Sequence, residues 1–331
     1  MKHIPVTLLT GFLGSGKTTL LARALARPEF ADSLVIVNEF GEVSIDHLIV
    51  ADLAENIIEL RDGCLCCTIR GDLVMTLRDL YRKRCLDEIP KFARVIVETT
   101  GLADPIPLIH TLMANPPLMK VFALDAVIAM VDSVHGSATL KAHDTASKQI
   151  AVADILVMSK VDCASPAAIA ALRAQVSVIN PTAELVLSAH GDIEATCVLE
   201  RGLFQPALGA DDLRRWLHTS PTSEDHHGHD HGAEYGAHVI EHEGPLSLAG
   251  TSVFLNRIVN EFSDEIVRIK GLAGFREKGG KPALLHAVQN KFYPVQWLES
   301  WPDSNTDSRL VFIGRGLDIA RIDELFSALC V

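Results

Sequence analysis

The chain has 331 residues, 48% of them hydrophobic, and its 30 basic residues against 42 acidic ones give a net charge of −12. This length predicts two domains with enough chain for a substantial core, and the acidic balance argues against a nucleic-acid partner. The apolar stretch Val121–Val131 is interrupted by Asp125 and is too short to cross a bilayer, so we expect no association with a membrane.

A phosphate-binding loop follows the first predicted strand. The apolar run Ile4–Leu9 is typical of a buried strand, and Thr19–Leu25 begins a helix that Pro28 ends. Between them the sequence fits G-x-x-x-x-G-K-[ST] at every fixed position, the arrangement that holds a polyphosphate through backbone N–H groups. We expect Lys17 at the β/γ-phosphates and the Thr18 hydroxyl on Mg²⁺. The predicted nucleotide-binding residues here are Gly11, Gly14, Ser15, Gly16, Lys17, Thr18 and Thr19.

Further apolar runs predict a mostly parallel sheet. Continuous Val, Ile and Leu residues, rather than alternating ones, indicate strands covered on both faces. Helical spacing in Gly71–Glu88 and Pro166–Val178 places helices between them, so the fold class is α/β over residues 1–218. The predicted strands are Leu34–Val37, Val95–Val97, Ala126–Val131, Ile155–Met158 and Leu185–Leu187.

Three cysteines crowd into four positions after the short apolar run Ile57–Leu60, at Cys64, Cys66 and Cys67. Thiolates at this spacing suit a soft or borderline cation such as Zn²⁺ or Cu(I), with a fourth ligand from elsewhere or a position left open for transfer. A buried cysteine turn and a redox pair are the alternatives. Crowded thiols are typical of a reducing compartment, and the N-terminus leaves no room for a signal peptide, so we expect a cytoplasmic protein.

A carboxylate lies at the tip of the strand that ends in Glu98-Thr99-Thr100-Gly101. In a P-loop enzyme this is where Mg²⁺ is held, usually through water, and Glu98 is the predicted residue. The N–H of Gly101 is placed to sense a γ-phosphate. We expect Lys17, Glu98 and Gly101 to be the catalytic residues.

The identity of the nucleotide base is predicted from Ser159-Lys160-Val161-Asp162, the segment that directly follows the predicted strand Ile155–Met158. An Asp carboxylate accepts both N–H groups of guanine, and a Lys stem lies over the base plane. Ser159 stands where GTPases usually have Asn and makes fewer hydrogen bonds. Ser188 and Ala189 follow a later strand, where GTPases place a backbone N–H on the guanine O6. GTP is therefore favoured over ATP.

The composition changes near Ser220, and residues 219–236 form a predicted polar linker. It carries His226, His227, His229 and His231, which suit Zn²⁺, Ni²⁺ or Co²⁺ but have no fixed geometry. Residues 237–331 predict a smaller α+β domain of the split βαβ type. Its expected elements are strands at Ala237–Glu241, Glu265–Phe275, Ala283–Gln289 and Leu310–Gly314, and helices at Ser247–Phe262 and Asp318–Leu329.

Taken together, these motifs resemble the CobW-like family of metal-chaperone GTPases. The resemblance rests on Gly11–Thr19, Asn38–Glu42, Cys64–Cys67, Glu98–Pro105 and Ser159–Asp162, and Ile313–Asp318 is similar to the end of that family's C-terminal domain. It implies a P-loop GTPase domain and slow GTP hydrolysis coupled to delivery of a metal, most often zinc, to a client protein.

The resemblance also implies a first switch at Asn38–Asp46, including Glu39 and Asp46, that links the γ-phosphate to the metal. Because such a switch must touch the metal site if GTP is to control it, Glu42 is a candidate oxygen ligand.

The sequence thus predicts a GTPase with GTP and Mg²⁺ that carries Zn²⁺ on its three clustered cysteines and hands it to an apo-metalloprotein. Three alternatives stay open. One is insertion of cobalt, iron or nickel into a cofactor or enzyme, with Co²⁺ or Ni²⁺ as the bound ion. Another is a zinc sensor or store in which GTP binding is regulatory. The last is a small-metabolite kinase, for which we find no acceptor-binding motif. The sequence does not determine the oligomeric state.

Overall fold

The computed structural model describes residues 3–37, 57–59, 68–193, 235–302 and 304–330. By its internal packing the chain divides into two compact units. One contains Met1–Ala174 and Glu184–Phe204, and the other contains Gln175–Ala183 and Gln205–Val331. None of the helices in the described ranges is both long and apolar enough to cross a membrane.

The strands of the first unit extend the predicted apolar runs by one to a few residues. They are β1 (Ile4–Gly11), β2 (Ser33–Val37), β3 (Ile57–Glu59), β4 (Arg94–Glu98), β5 (Phe122–Asp132), β6 (Ile155–Ser159) and β7 (Glu184–Leu187). They form one sheet in the order β3-β2-β4-β1-β5-β6-β7, and every neighbouring pair is parallel. The parallel sheet predicted from the continuous apolar runs is confirmed.

Helices connect these strands. They are α1 (Lys17–Leu25), α2 (Thr68–Cys85), α3 (Ile106–Ala114), α4 (Pro116–Met119), α5 (Gly136–Ala142), α6 (Asp144–Ala151) and α7 (Pro166–Ile179). Leu20, Leu21 and Ala24 of α1 pack against the sheet in one buried cluster with Leu9 and Ile128. This packing fixes the first turn of α1 directly behind the phosphate-binding loop.

The strand order brings the predicted site residues to one edge of the sheet. The carboxyl ends of parallel strands meet at the same edge, where the connecting loops build ligand sites. Glu98 ends β4 beside Leu9 of β1, and Asp132 ends β5 in register with Ser159 of β6. The phosphate-binding loop leaves β1 between them.

The second unit contains strands β8 (Tyr235–His242), β9 (Ile266–Phe275), β10 (Lys281–Val288), β11 (Lys291–Phe292), β12 (Gln296–Trp297) and β13 (Ser308–Arg315), with helices α8 (Leu248–Glu261) and α9 (Ile319–Leu329). The sheet is antiparallel in the order β11-β10-β9-β13-β8, and β12 pairs with β10. Helix α8 joins β8 to β9, and β13 lies between those two strands. This is the predicted split βαβ unit.

The core of this unit is aromatic. Phe254 of α8 meets Phe312 of β13 and Phe326 of α9 edge to face, with ring centroids 5.9 and 5.6 Å apart. The strand β8 begins at Tyr235, which pairs with Arg315. The last two residues that the sequence assigned to the linker therefore belong to a strand. Tyr235 and Gly236 alone show no strand pattern. Their pairing partners on β13 are distant in sequence, so the sequence did not predict that the strand begins at Tyr235.

Candidate nucleotide-binding site

Three glycines give the phosphate-binding loop its shape. Gly11, Gly14 and Gly16 have φ angles of 137°, 70° and 93°, a region that L side chains rarely adopt. A Cβ on Gly11 would also lie 2.5 Å from the carbonyl oxygen of Met130 in β5. The loop therefore needs glycine at these positions for its backbone conformation. At Gly11 it also needs glycine because β5, the neighbouring strand in the sheet, lies so close.

Lys17 begins α1 and is buried within the loop. Its Nζ donates to the carbonyl oxygens of Gly11 at 2.9 Å and Phe12 at 3.3 Å. The ammonium is thereby held inside the curve of the loop, where polyphosphate oxygens bind in P-loop proteins.

Thr18 and Glu98 meet at the start of α1. The Thr18 hydroxyl donates to Glu98 Oε1 at 3.0 Å, and Glu98 is buried at the tip of β4. The two residues are 80 positions apart in sequence, yet the sheet order β4-β1 makes them neighbours. A hydroxyl and a carboxylate are hard oxygen donors of the kind that Mg²⁺ prefers, so the pair fits this ion.

The segment after β4, Thr99–Asp104, lies against the phosphate-binding loop, and we call it the sensor loop. Thr99 donates its N–H to the Leu9 carbonyl at 2.9 Å and its hydroxyl to Thr10 Oγ1 at 2.9 Å. A Cβ on Gly101 would lie 2.6 Å from the backbone nitrogen of Leu13. Only glycine allows this backbone-to-backbone approach.

Ser159, the last residue of β6, and Lys160, which follows it, both contact the phosphate-binding loop. The Ser159 hydroxyl is buried and donates to the Ser15 carbonyl at 2.6 Å. Lys160, whose φ is 56°, donates from Nζ to the Gly14 carbonyl at 2.7 Å and to Asp132 Oδ2 at 2.8 Å. A serine cannot make all the hydrogen bonds that an asparagine makes at this position. Its hydroxyl nevertheless contacts the phosphate-binding loop through the Ser15 carbonyl.

Asp132 anchors the Lys160 ammonium. Its second oxygen accepts the N–H groups of Val134 at 2.7 Å and His135 at 3.2 Å. Burial works to raise the pKa of this carboxyl, but Lys160 and the two N–H groups outweigh burial and hold the pKa below its usual 3.8. The carboxylate therefore stays ionised at neutral pH. Its contact with the Lys160 ammonium holds the lysine side chain against the phosphate-binding loop.

Asp162 lies in a small hydrogen-bonded group. The Cys163 thiol donates to Asp162 Oδ2 at 3.1 Å, and the His190 N–H donates to Oδ1 at 3.2 Å. The thiol and then the His190 N–H lower the pKa of Asp162, while Asp162 raises the pKa of the Cys163 thiol. Asp162 is thus an ionised acceptor, as guanine recognition requires.

The segment after β7 forms a tight turn beside α1. His190 and Gly191 have φ angles of 52° and 77°, and Asp192 donates its N–H to the Ala189 carbonyl at 2.9 Å. Asp192 also pairs with Arg27. The Ser188 N–H donates to the Met158 carbonyl at 2.8 Å within the sheet. The contact of Ala189 with a base stays a prediction.

The predicted metal and switch residues lie outside the described ranges. This applies to Glu39, Glu42 and Asp46, to the three clustered cysteines Cys64, Cys66 and Cys67, and to His226, His227, His229 and His231. Within the described ranges, no three His, Cys, Asp or Glu side chains lie together as a metal site.

Four contacting residues escaped the sequence analysis: Asp132, Gln149, Cys163 and His190. Asp132 had a signal, because it ends the apolar run of β5 as Glu98 ends that of β4. Cys163 and His190 adjoin predicted residues but fit no motif. Gln149 lies within α6, 48 positions from its partner Gly101, and nothing in its local sequence marks it.

Two family descriptions match the chain. The CobW/HypB/UreG nucleotide-binding domain matches residues 5–187, and the cobalamin synthesis protein cobW C-terminal domain matches residues 235–330. The first of these matches contains the phosphate-binding loop, Glu98 and Ser159–Asp162.

Similar proteins cover almost the whole chain. The zinc chaperone YjiA of Escherichia coli is 34% identical over 99% of both chains. The zinc chaperone CobW of Pseudomonas aeruginosa is 33% identical over 97% of this chain and 90% of its own. The crystal structure of Zn(II)-bound YjiA GTPase from E. coli superimposes with a TM-score of 0.78, with 29% identity over 99% of both chains.

Proposed function

The chain belongs to the CobW family, and from this premise we propose that it carries Zn²⁺ and transfers it to a client apo-metalloprotein under the control of GTP hydrolysis. It is a P-loop GTPase with a C-terminal domain of the same family. The observation that carries the proposal is the meeting of three motifs at one edge of the sheet, where Thr18 contacts Glu98 and Lys160 contacts Gly14.

Guanine selection rests on Lys160 and Asp162. Asp162 is an acceptor on both oxygens, and guanine offers two adjacent N–H groups, whereas adenine offers a ring nitrogen acceptor that a carboxylate repels. The extended stem of Lys160 provides an apolar face for the base plane. The Ala189 N–H completes the set at the guanine O6. On this arrangement the base displaces the Cys163 thiol and the His190 N–H from Asp162.

The triphosphate rests on the glycine loop. Lys17, held inside the loop, neutralises the β/γ-phosphates, and the Gly101 N–H faces the γ-phosphate. Thr18 and Glu98 would hold Mg²⁺, which neutralises developing charge on the phosphates when bound. The chain's own residues supply positioning and electrostatic stabilisation, which account for most of catalysis in phosphoryl transfer.

The zinc site is proposed at Cys64, Cys66 and Cys67, with Glu42 as an oxygen ligand. Support comes from the relatives named zinc chaperones. A crystal structure of a YjiA variant with one glutamate and two cysteines replaced by alanine, at a TM-score of 0.75 and 28% identity, is also zinc-bound, so that structure does not itself assign zinc to the cysteines. Glu39 and Asp46 would lie on the switch that connects this site to the γ-phosphate. The four clustered histidines His226, His227, His229 and His231 would collect metal loosely, and we propose the cytoplasm as the compartment.

A client protein is proposed because a relative that aligns with part of this chain is named for activating one. The zinc-regulated GTPase metalloprotein activator 1 of Schizosaccharomyces pombe is 31% identical over 58% of this chain and 47% of its own length. Delivery of cobalt, iron or nickel, and a zinc store regulated by GTP, remain the alternatives to zinc delivery.

Competition titration with GTP and ATP tests the nucleotide assignment, with Lys17→Ala as the variant that abolishes triphosphate binding. Equal affinities for GTP and ATP would contradict the guanine assignment. A parallel zinc titration of the variant carrying Cys64→Ser, Cys66→Ser and Cys67→Ser tests the metal assignment, because removing all three thiolates must remove the tightest site. Retention of that site would place the zinc elsewhere.

A further inference from the structure

Helix α6 contacts both loops that surround the γ-phosphate position. At its start, the His143 ring stacks on Phe12 of the phosphate-binding loop, with centroids 4.5 Å apart and an interplanar angle of 25°. Further along, Lys148 pairs with Asp104 at 3.6 Å, and Gln149 reaches the backbone of the sensor loop. The helix is therefore a common support for the two loops.

Gln149 makes the buried part of this connection. Its side-chain Nε2 donates to the carbonyl oxygens of Gly101 at 3.2 Å and Ala103 at 3.1 Å. Two carbonyl acceptors fix which end of the amide faces the loop, because only the NH₂ group can donate to both. Gln149 is 1% exposed, and its hydrogen bond to Gly101 is buried while that to Ala103 is partly buried.

The remaining end of the amide is informative. Gln149 Oε1 is buried and accepts no hydrogen bond from the residues that the structure describes. Within the described residues, the contacts of the Gln149 amide therefore run through its two N–H donors, both of which face the sensor loop.

The geometry points to Gln149 as a positioning residue that sets the distance between the Gly101 N–H and the γ-phosphate, and so sets the preference for GTP over GDP. Gly101 lies between two fixed neighbours, the backbone of Leu13 and the amide of Gln149. The Ala103 N–H also donates to the Thr100 carbonyl at 3.1 Å, which closes the sensor loop into a turn. The Gln149 amide adds to this turn hydrogen bond a second restraint on Gly101, one that comes from helix α6.

The test compares GDP with a β,γ-imido GTP analogue in the full-length protein, and it rests on the proposed contact of Gly101 with the γ-phosphate. Gln149→Met keeps the side-chain length and removes both donors. We expect analogue affinity to fall about tenfold, the equivalent of one hydrogen bond, while GDP affinity stays within about twofold. Gln175→Met is the matched control, the same substitution at another glutamine whose amide oxygen is buried, on α7, and it should change neither affinity because no described contact joins Gln175 to either loop.

Gln149→Glu provides a second readout that a structural role would not move. A glutamate buried against two carbonyl oxygens has a raised pKa, and only its protonated form donates. We expect its analogue affinity to recover, relative to wild type, as the pH falls from about 8 to about 6, while that of Gln149→Met does not.

Equal losses for GDP and the analogue would mean that Gln149 only supports the fold, and an unchanged preference in both variants would mean that its hydrogen bonds do not reach the γ-phosphate. Either result overturns the inference. Titration of the wild-type protein with the corresponding ATP analogue tests the guanine assignment separately. If the GTP analogue binds no better than the ATP analogue, the guanine assignment itself fails.

Discussion

Replacing Gly101 with alanine should separate GTP binding from GDP binding. The added Cβ would lie 2.6 Å from the Leu13 nitrogen and 2.7 Å from its Cα, whereas ordinary contact begins at 3.4 Å. The shortest contact must therefore open by 3.4 − 2.6 = 0.8 Å. Both atoms belong to the backbone of the phosphate-binding loop, so no side-chain rotation relieves the overlap.

That displacement is large compared with the tolerance of a hydrogen bond. An N–H···O bond of about 2.9 Å that lengthens by this amount is effectively lost. Hydrogen bonds to charged groups are worth about 1.5–3 kcal/mol, which corresponds to a loss of roughly 10–150-fold in affinity. Because GDP lacks the γ-phosphate, its affinity should change little. The rate of GTP hydrolysis should fall with the affinity for the triphosphate.

Calorimetric titration of Gly101→Ala with GDP and with a non-hydrolysable GTP analogue measures the two affinities separately. Gly136→Ala is the matched control, because its Cβ would meet only side-chain tips, Leu172 Cδ2 at 2.9 Å and Val131 Cγ1 at 3.1 Å. Thermal unfolding of both variants reports the overpacking, about 1–3 kcal/mol at either position. If Gly101→Ala keeps the wild-type ratio of the two affinities, Gly101 does not sense the γ-phosphate.

Three further predictions concern the base, the pH dependence and the histidine tract. Asp162→Asn replaces one acceptor by a donor, so the affinity for GTP should fall and the affinity for XTP should rise. Titration with both nucleotides checks this, and an unchanged preference for GTP contradicts it. The lowered pKa of Asp132 contributes stability above its unfolded pKa of about 3.9, and this contribution is lost as the pH falls through the folded value. Lys160→Met removes the Lys160 hydrogen bond and charge that lower this pKa and should raise it, so acid unfolding should begin at a higher pH than in wild type. Coincident acid-unfolding curves would refute this. Deleting residues 225–232 should lower total metal stoichiometry and keep both the tightest site and the GTPase rate, and loss of the tight site would mean that the tract completes it.

The sequence was sufficient for features that depend on local spacing. The glycine loop, the tips of β4 and β6 and the split βαβ order all follow from short motifs and apolar runs, and the structure places them as expected. Ser159 illustrates the limit of such reasoning. Its position was predicted, but its hydrogen bond to the Ser15 carbonyl depends on how β6 lies beside the loop.

Other features were lost because their partners are remote in sequence or because the element is short. Gln149 contacts Gly101 across 48 positions, and a glutamine on a helix has no signature. The strands Lys291–Phe292 and Gln296–Trp297 have two residues each, too few for an alternating pattern. The helix Ile106–Ala114 was not predicted; it has Pro107 in its first turn, where proline is tolerated, and its remaining residues are mostly apolar.

The central claim is that the nucleotide controls the metal. The most direct measurement is the Zn²⁺ affinity of the full-length protein with a non-hydrolysable GTP analogue and with GDP, in a buffer of fixed pH because thiolate binding releases protons. We expect the two affinities to differ by about 5–150-fold, the range typical of coupled sites. Saturating Zn²⁺ should then change the affinity for the analogue relative to GDP by the same factor. Identical Zn²⁺ affinities in the two nucleotide states would contradict a GTP-driven zinc carrier.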